Sequence, residues 1–334
     1  MEFALIGDTG IKATRVCIGT WAIGGWMWGG SDESESIAAI QAGLKKGLNI
    51  VDTAPVYGFG LSEEIVGKAI AAAGRENVYI STKAGIQWRN GSTFRNASSG
   101  RIIQELSDSL RRLKTNYVDI YHVHWPDPLV PVEETAGAMN SLLEQGKIRA
   151  IGVSNFNVEQ MERFRKEAPL HTCQPPYNIF ERGIEKDVLP YCKKNGIAVL
   201  AYGALCRGLL SGKMRPDAVF VGDDLRNKDP KFQQPLFGRY LKAVDELAQL
   251  ARTRYQKSVL ELAVRWVLDQ GADVALWGVR NPRQLELVEG TMGWSLDENA
   301  KKAIDDIIQR NIPSPEGPEF MAPSSRTPEE AKVY

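Results

Sequence analysis

Histidine and cysteine are scarce in this chain, at three and four of 334 residues. Cys17, Cys173, Cys192 and Cys206 form no CxxC pair and fit no zinc spacing, so disulfide scaffolds and zinc modules are excluded. These four read as reduced, mostly buried thiols of a cytoplasmic protein. A charge surplus is also missing: 41 Lys plus Arg balance 41 Asp plus Glu, for a formal net charge of zero. A general nucleic-acid binder would show a basic excess, and nothing here draws the chain to an anionic membrane. No apolar run reaches the roughly 18 residues of a transmembrane helix. The opening Met1-Glu2-Phe3-Ala4-Leu5 carries no basic stretch and no long apolar run, so it is not read as a signal peptide. GxGxxG occurs nowhere, which argues against a Rossmann domain.

What is present is a rhythm of short β-branched strands and amphipathic helices. Strands are expected around Val16, Ile50, Tyr79, Ile120, Ile151, Cys173, Val199 and Ala275. Helices are expected near 34–46, 61–72, 100–113, 132–144, 158–166, 184–194, 236–253, 259–268 and 282–289. Alternation of this kind predicts parallel pairing with helices outside, and eight units favour closure into a (β/α)8 TIM barrel. Residues 3–14 read as an N-terminal β-hairpin that could plug the bottom, and 297–309 as an extra C-terminal helix. Residues 1–334 read as a single domain, with 313–334 a surface tail rich in Pro, Ser and Glu. Two long loops, 84–98 and 205–235, leave C-terminal strand ends, the face where such barrels place their sites.

Four ionisable residues stand at those ends on three successive strands: Asp52 and, just after it, Tyr57; Lys83; and His124. Their types suit carbonyl reduction. A free tyrosine, with a pKa of about 10, donates a proton poorly near neutrality. A lysine ammonium beside it is expected to depress that pKa, an aspartate to hold the lysine, and a histidine to orient the carbonyl.

These residues also carry a resemblance. Asp52-Thr53-Ala54-Pro55-Val56-Tyr57-Gly58, then Ser81-Thr82-Lys83, His124-Trp125-Pro126-Asp127 and Gly152-Val153-Ser154-Asn155-Phe156 resemble, in order, the motifs of the aldo-keto reductases. Gly203 to Lys213 resembles the bacterial branch with general-stress and glyceraldehyde/glycerol-type reductases. The resemblance implies an NADPH-dependent reductase of aldehydes and ketones, with NADH a weaker cofactor. It implies that Ser154, Asn155 and Gln174 hold the carboxamide, and that Tyr202, with Trp21 near, packs on the nicotinamide. Leu205, Arg207, Gly208 and Lys213 would cross the pyrophosphate, and Gly278, Arg280 and Gln284 would meet the adenosine end. Gly278-Val279 stands where many relatives have Lys-Ser, Gln284 where many have Arg, and Leu287-Val288 where many have Glu-Asn. Trp21, Trp28, Trp88 and Trp125 are expected to line the pocket of a small carbonyl substrate, and a monomer is expected.

Blander readings stand beside these. Singly, Tyr57 is an ordinary loop tyrosine, Lys83 a solvated charge, Asp52 a helix cap and His124 a core residue; only their order and spacing make the site. His122 and His124 share strand parity and hint at a metal, but no third histidine is near, so His122 reads as a polar plug and no metal is expected. Ser154 has no acid–histidine pair for hydrolase chemistry. The run from Gly24 to Gly30 could be a partner patch. A non-catalytic NADPH-sensing regulatory subunit of the same fold is the second functional reading; an extension ahead of the hairpin would favour it, and the hairpin begins at residue 3.

Overall fold

The computed structural model describes residues 1–327. A hairpin of β1 (Phe3–Leu5) and β2 (Lys12–Thr14) comes first. The barrel strands and helices then alternate: β3 (Val16–Gly19), α1 (Glu33–Lys45), β4 (Ile50–Asp52), α2 (Leu61–Ile70) and β5 (Tyr79–Ala84). A second hairpin, β6 (Ile86–Arg89) and β7 (Ser92–Arg95), precedes α3 (Ser99–Leu113). There follow β8 (Val118–Val123), α4 (Val132–Glu144), β9 (Ile148–Ser154), α5 (Val158–Phe164), β10 (Thr172–Gln174), α6 (Val188–Lys194) and β11 (Ala198–Ala201). The last pieces are α7 (Leu236–Tyr255), α8 (Val259–Asp269), β12 (Val274–Gly278), α9 (Glu298–Asn311) and the short β13 (Ser324–Ser325). Eight parallel strands close in the order β3-β4-β5-β8-β9-β10-β11-β12, with β12 back on β3.

Local chemistry explains the elements. The strands are buried on both faces, as β4 and β8 are throughout, because helices cover the outside while side chains fill the inside. Helix starts are capped: Asp32 accepts from the Glu35 N–H at 2.8 Å, and Ser258 with Glu261 forms a reciprocal capping box on α8. Ile6, Ile11 and Ala13 of the N-terminal hairpin pack with Cys17, Ile50, Ile120, Ala150 and Leu200. The hairpin therefore closes the barrel bottom, as expected, and leaves the C-terminal strand ends to form the site.

Two expectations are corrected. The loop at 84–98 is the β6–β7 hairpin, with β13 of the tail parallel to β7. The helix expected at 282–289 is two short 3-10 turns, Pro282–Leu285 and Glu289–Thr291. The tail is pinned at the surface: Arg326 is buried on Asp127 at 2.9 Å, and Lys231 reaches the Gly317 carbonyl at 3.0 Å. The tail expectation for 328–334 lies outside the described residues. Among the described residues no helix is long and apolar enough to cross a membrane.

Candidate active site

Asp52, at the end of β4, is the hub. Its Oδ1 accepts from Lys83 Nζ at 2.5 Å, and its Oδ2 accepts from Ser81 Oγ at 2.7 Å and Gln174 Nε2 at 2.9 Å. Lys83 also donates to the Thr53 carbonyl at 2.9 Å and is fully buried. Its ammonium lies 5.0 Å from the centre of the Tyr57 ring. The His124 ring stands nearly edge-on to Tyr57, with centroids 5.8 Å apart. All four residues singled out in the sequence thus meet at one barrel end.

Backbone approach sets this up. A methyl on Gly24 would come 2.4 Å from the Tyr57 carbonyl carbon, and one on Gly58 would come 2.1 Å from the Gly24 oxygen. Only glycines let these two loops touch. The result places Trp21 on Tyr57, stacked at 6.0 Å, and Trp28 edge-on to Trp21 at 5.4 Å.

Burial raises the Tyr57 phenol above its ordinary value; Lys83 pulls it down, and burial wins. The expected net depression is therefore not what the geometry gives. Burial works against the Lys83 charge as well, but Asp52 and Tyr57 overcome it and hold the ammonium above its ordinary value. His124 is pushed well below its usual range by burial, by Lys83 and by His122, so its imidazole is neutral near pH 7.

A cleft of about 400 Å³ opens beside Tyr57. Trp21, Trp28, Tyr202, Leu205, Arg207, Gly208, Lys213, Gly278, Arg280 and Gln284 all line it. Ser154, Asn155 and Gln174 stand behind its wall, not in it. Ser154 Oγ donates to the Gln174 carbonyl at 2.7 Å, and Asn155 Oδ1 accepts from the Tyr202 hydroxyl at 2.9 Å, which fixes the Tyr202 ring. Since Gln174 donates its amide to Asp52, its side-chain oxygen remains as an acceptor.

Two side chains expected to meet the cofactor, Arg207 and Gln284, also make contacts within the protein. The Arg207 guanidinium is buried between Glu181 and Asp229, at 2.6 Å from Asp229, and Lys231 joins the same cluster. Arg207 thus shapes the cleft wall with its charge already neutralised. Gln284 Oε1 accepts from the Arg280 N–H at 2.6 Å, so its side chain caps backbone. Trp88 and Trp125 do not line this cleft. Trp88 tilts on Phe59 at 5.6 Å, Phe59 on Trp26 at 4.9 Å, and Trp125 packs on the small apolar cluster of Ala54, Val56, Tyr57 and Ile86. Together they make an aromatic wall on the other side of Tyr57. Met214, Arg226 and Arg283 line the cleft without having been singled out; the cationic ones sit in loops where nothing local distinguishes them from solvated charges.

The buried Asp52–Lys83–Tyr57 row stands beside this cleft at the C-terminal end of the barrel strands. Residues 15–309 match the Aldo/keto reductase family, and the chain belongs to it. It is similar to the aldo-keto reductase YhdN of Bacillus subtilis, 59% identical over 98% of this chain and 99% of that protein. It is 38% identical to the NADH-specific methylglyoxal reductase of Escherichia coli, over 84% of this chain and 90% of that one. Among solved structures it resembles the glycerol dehydrogenase of Gluconobacter oxydans, with TM-score 0.87, 52% identity and 96% and 99% of the two chains covered.

Proposed function

We propose that the protein reduces small aldehydes and ketones with NADPH, with Tyr57 as proton donor. The observation that carries this reading is the buried Lys83 held between Asp52 Oδ1 at 2.5 Å and the Tyr57 ring, at the wall of a cleft long enough to run past β12. The cleft suits a dinucleotide. Trp28 Nε1 is buried with no hydrogen-bond partner among the described residues, a donor in wait of an acceptor. A methyl at Gly203 or Gly278 would meet nothing within 4 Å, so backbone is open to a ligand there. Lys213, Arg280 and Arg283 bring positive charge, which favours NADPH with its extra phosphate over NADH.

When bound, the nicotinamide supplies the hydride. The chain's own groups handle the proton. Tyr57 stays protonated well past neutrality and gives its proton to the forming alkoxide, whose affinity for it is higher. Lys83 stabilises the phenolate left behind, and Asp52 keeps Lys83 charged and aimed. The neutral His124 can donate a hydrogen bond to the carbonyl without adding charge. Trp21, Trp26, Phe59, Trp88 and Trp125 exclude water and leave room for a small substrate. Arg95 is tied to the Pro126 and Pro323 carbonyls at 3.0 Å each.

NADPH consumption with a panel of aldehydes, methylglyoxal and glyceraldehyde among them, tests the reading, with NADH in parallel. Tyr57→Phe keeps the ring and removes the proton. Reduction should fall by at least about 10²-fold while NADPH binding holds. Wild-type turnover in Tyr57→Phe, or none in the parent protein with any carbonyl, would sink it; the second outcome would favour a cofactor-sensing regulatory barrel.

A further inference from the structure

His122 is fully buried inside the barrel and does not line the cleft. Its ring is instead built into a row of polar groups. Thr172 Oγ1 is 2.9 Å from Nε2, and Ser81 Oγ is 3.3 Å from Nδ1. Ser81 Oγ in turn lies 2.7 Å from Asp52 Oδ2. Space for the ring is made by Gly152, where a methyl would fall 2.3 Å from His122 Cδ2 and 2.2 Å from Thr172 Oγ1.

The proton order in this row is forced. Asp52 is ionised opposite Lys83 and can only accept, so the single Ser81 proton goes to Asp52. Ser81 Oγ must then accept from His122 Nδ1–H. Burial holds the ring neutral, with its pKa lowered to about 3, so Nε2 carries no proton and accepts from the Thr172 hydroxyl. Below the row lies the apolar plug of Cys17, Ile50, Ile120 and Leu200, so it is not a path for protons to the barrel bottom.

We propose that Thr172, His122 and Ser81 form a dead-ended hydrogen-bonded row that aims the Ser81 hydroxyl at Asp52. His122 and Ser81 are thereby positioning residues for the proton donor, a role that rests on Tyr57 being that donor. A hydrogen bond donated to Asp52 takes up part of its negative charge. Asp52 opposes ionisation of Tyr57, so a donor on its far oxygen eases formation of the phenolate. The charged and titratable groups facing His122 are Asp52 on β4, Lys83 on β5 and His124 beyond β8, with Cys17 on β3 facing the same carboxylate.

The sign follows. Without the Ser81 hydroxyl, Tyr57 ionises less readily. Alcohol oxidation needs the phenolate, so its acid limb should move up by about half a pH unit to one unit in Ser81→Ala. Ser81→Thr keeps the hydroxyl and should return the limb to the wild-type position. His122→Phe keeps the shape and should move the limb the same way, with melting temperature reporting whether it folds; if it does not, Ser81→Ala decides alone. A readout free of turnover is available because the chain has only three histidines. Imidazole ¹⁵N resonances should show His122 as the Nδ1–H tautomer, neutral down to below pH 5. An Nε2–H tautomer, or an unmoved limb in Ser81→Ala, overturns the proposal. If Tyr57→Phe kept its turnover, the reading of the proton donor would fail instead, and the two failures are told apart.

Discussion

Tyr57 stands between opposed forces, and the balance decides what it can do. Burial disfavours the phenolate, while Lys83 favours it. The order of Asp52, Tyr57, Lys83 and His124 along successive strands was legible because barrel geometry brings strand ends together. The balance was not, because it depends on how fully the loop around Gly24 and Gly58 seals the ring. The same burial governs the histidines. His122, His124 and His171 are all lowered, His122 from 6.5 to about 3 and each first of all by burial. An unfolded histidine binds its proton near pH 6.5, whereas the folded His122 does so only near 3. Stability is therefore present above pH 6.5 and declines as pH falls toward 3. The slope is about 1.4 kcal/mol per pH unit for each fully perturbed histidine. Denaturant midpoints between about pH 6.5 and 5.5, above most of the range where carboxylates titrate, should show this decline, and His122→Phe should lessen it. Equal slopes would mean that His122 is not neutral in the fold.

At the scale of elements, the largest departure is the β6–β7 hairpin. A signal for it lay in the sequence: Asn90-Gly91, both with positive φ at 50° and 77°, is the dipeptide that suits a tight two-residue hairpin turn. Its flanks, Ile86-Gln87-Trp88-Arg89 and Ser92-Thr93-Phe94-Arg95, are short and partly exposed, which hid the strand pattern. The tail's part in it had no local signal, since β13 is two residues long and its pairing with β7 spans most of the chain. Here Arg326 meets Asp127, whose oxygens also accept the Ala97 N–H at 3.2 Å and the Leu129 N–H at 2.9 Å. Arg95 lies over the Trp125 ring at 5.1 Å. The tail thus braces the loop that carries His124 and Trp125. Arg326→Ala strands a buried carboxylate and should cost about 3–5 kcal/mol, less whatever the tail recovers by releasing. It should raise KM for the carbonyl and leave NADPH affinity unchanged. Adding Asp127→Asn should recover much of the loss. If Arg326→Ala melts like wild type, the brace is not structural.

On the scale of the whole molecule, barrel closure is what makes the cleft. β12 pairs with β3, from Ala275 on Val16 to Gly278 on Gly19, so loops far apart in sequence become neighbours. The Arg280 guanidinium donates to the Trp28 carbonyl at 3.2 Å and to the Gly30 carbonyl. From the loop after β11, Asp223 accepts the Met27 N–H at 2.7 Å and the Gly29 N–H at 3.2 Å. Three loops, from the first, seventh and eighth units, thus roof one end of the cleft. The barrel itself was readable from the strand–helix count; the roof was not, because each of its contacts exists only after closure. Arg280 is a latch for the roof, and under the proposed function it is also a cation for the cofactor's extra phosphate; the two tasks predict different things. Loss of a charge-assisted contact of about 1.5–3 kcal/mol weakens NADPH roughly 10- to 150-fold. Loss of the latch speeds release of NADPH and NADH alike, because the roof covers the part they share. Arg280→Ala should accordingly weaken NADPH strongly and NADH by only a few-fold. Titration of both cofactors by quenching of tryptophan fluorescence separates the tasks. Equal weakening of the two would leave Arg280 as a latch alone, and no change in either would remove it from the cofactor site.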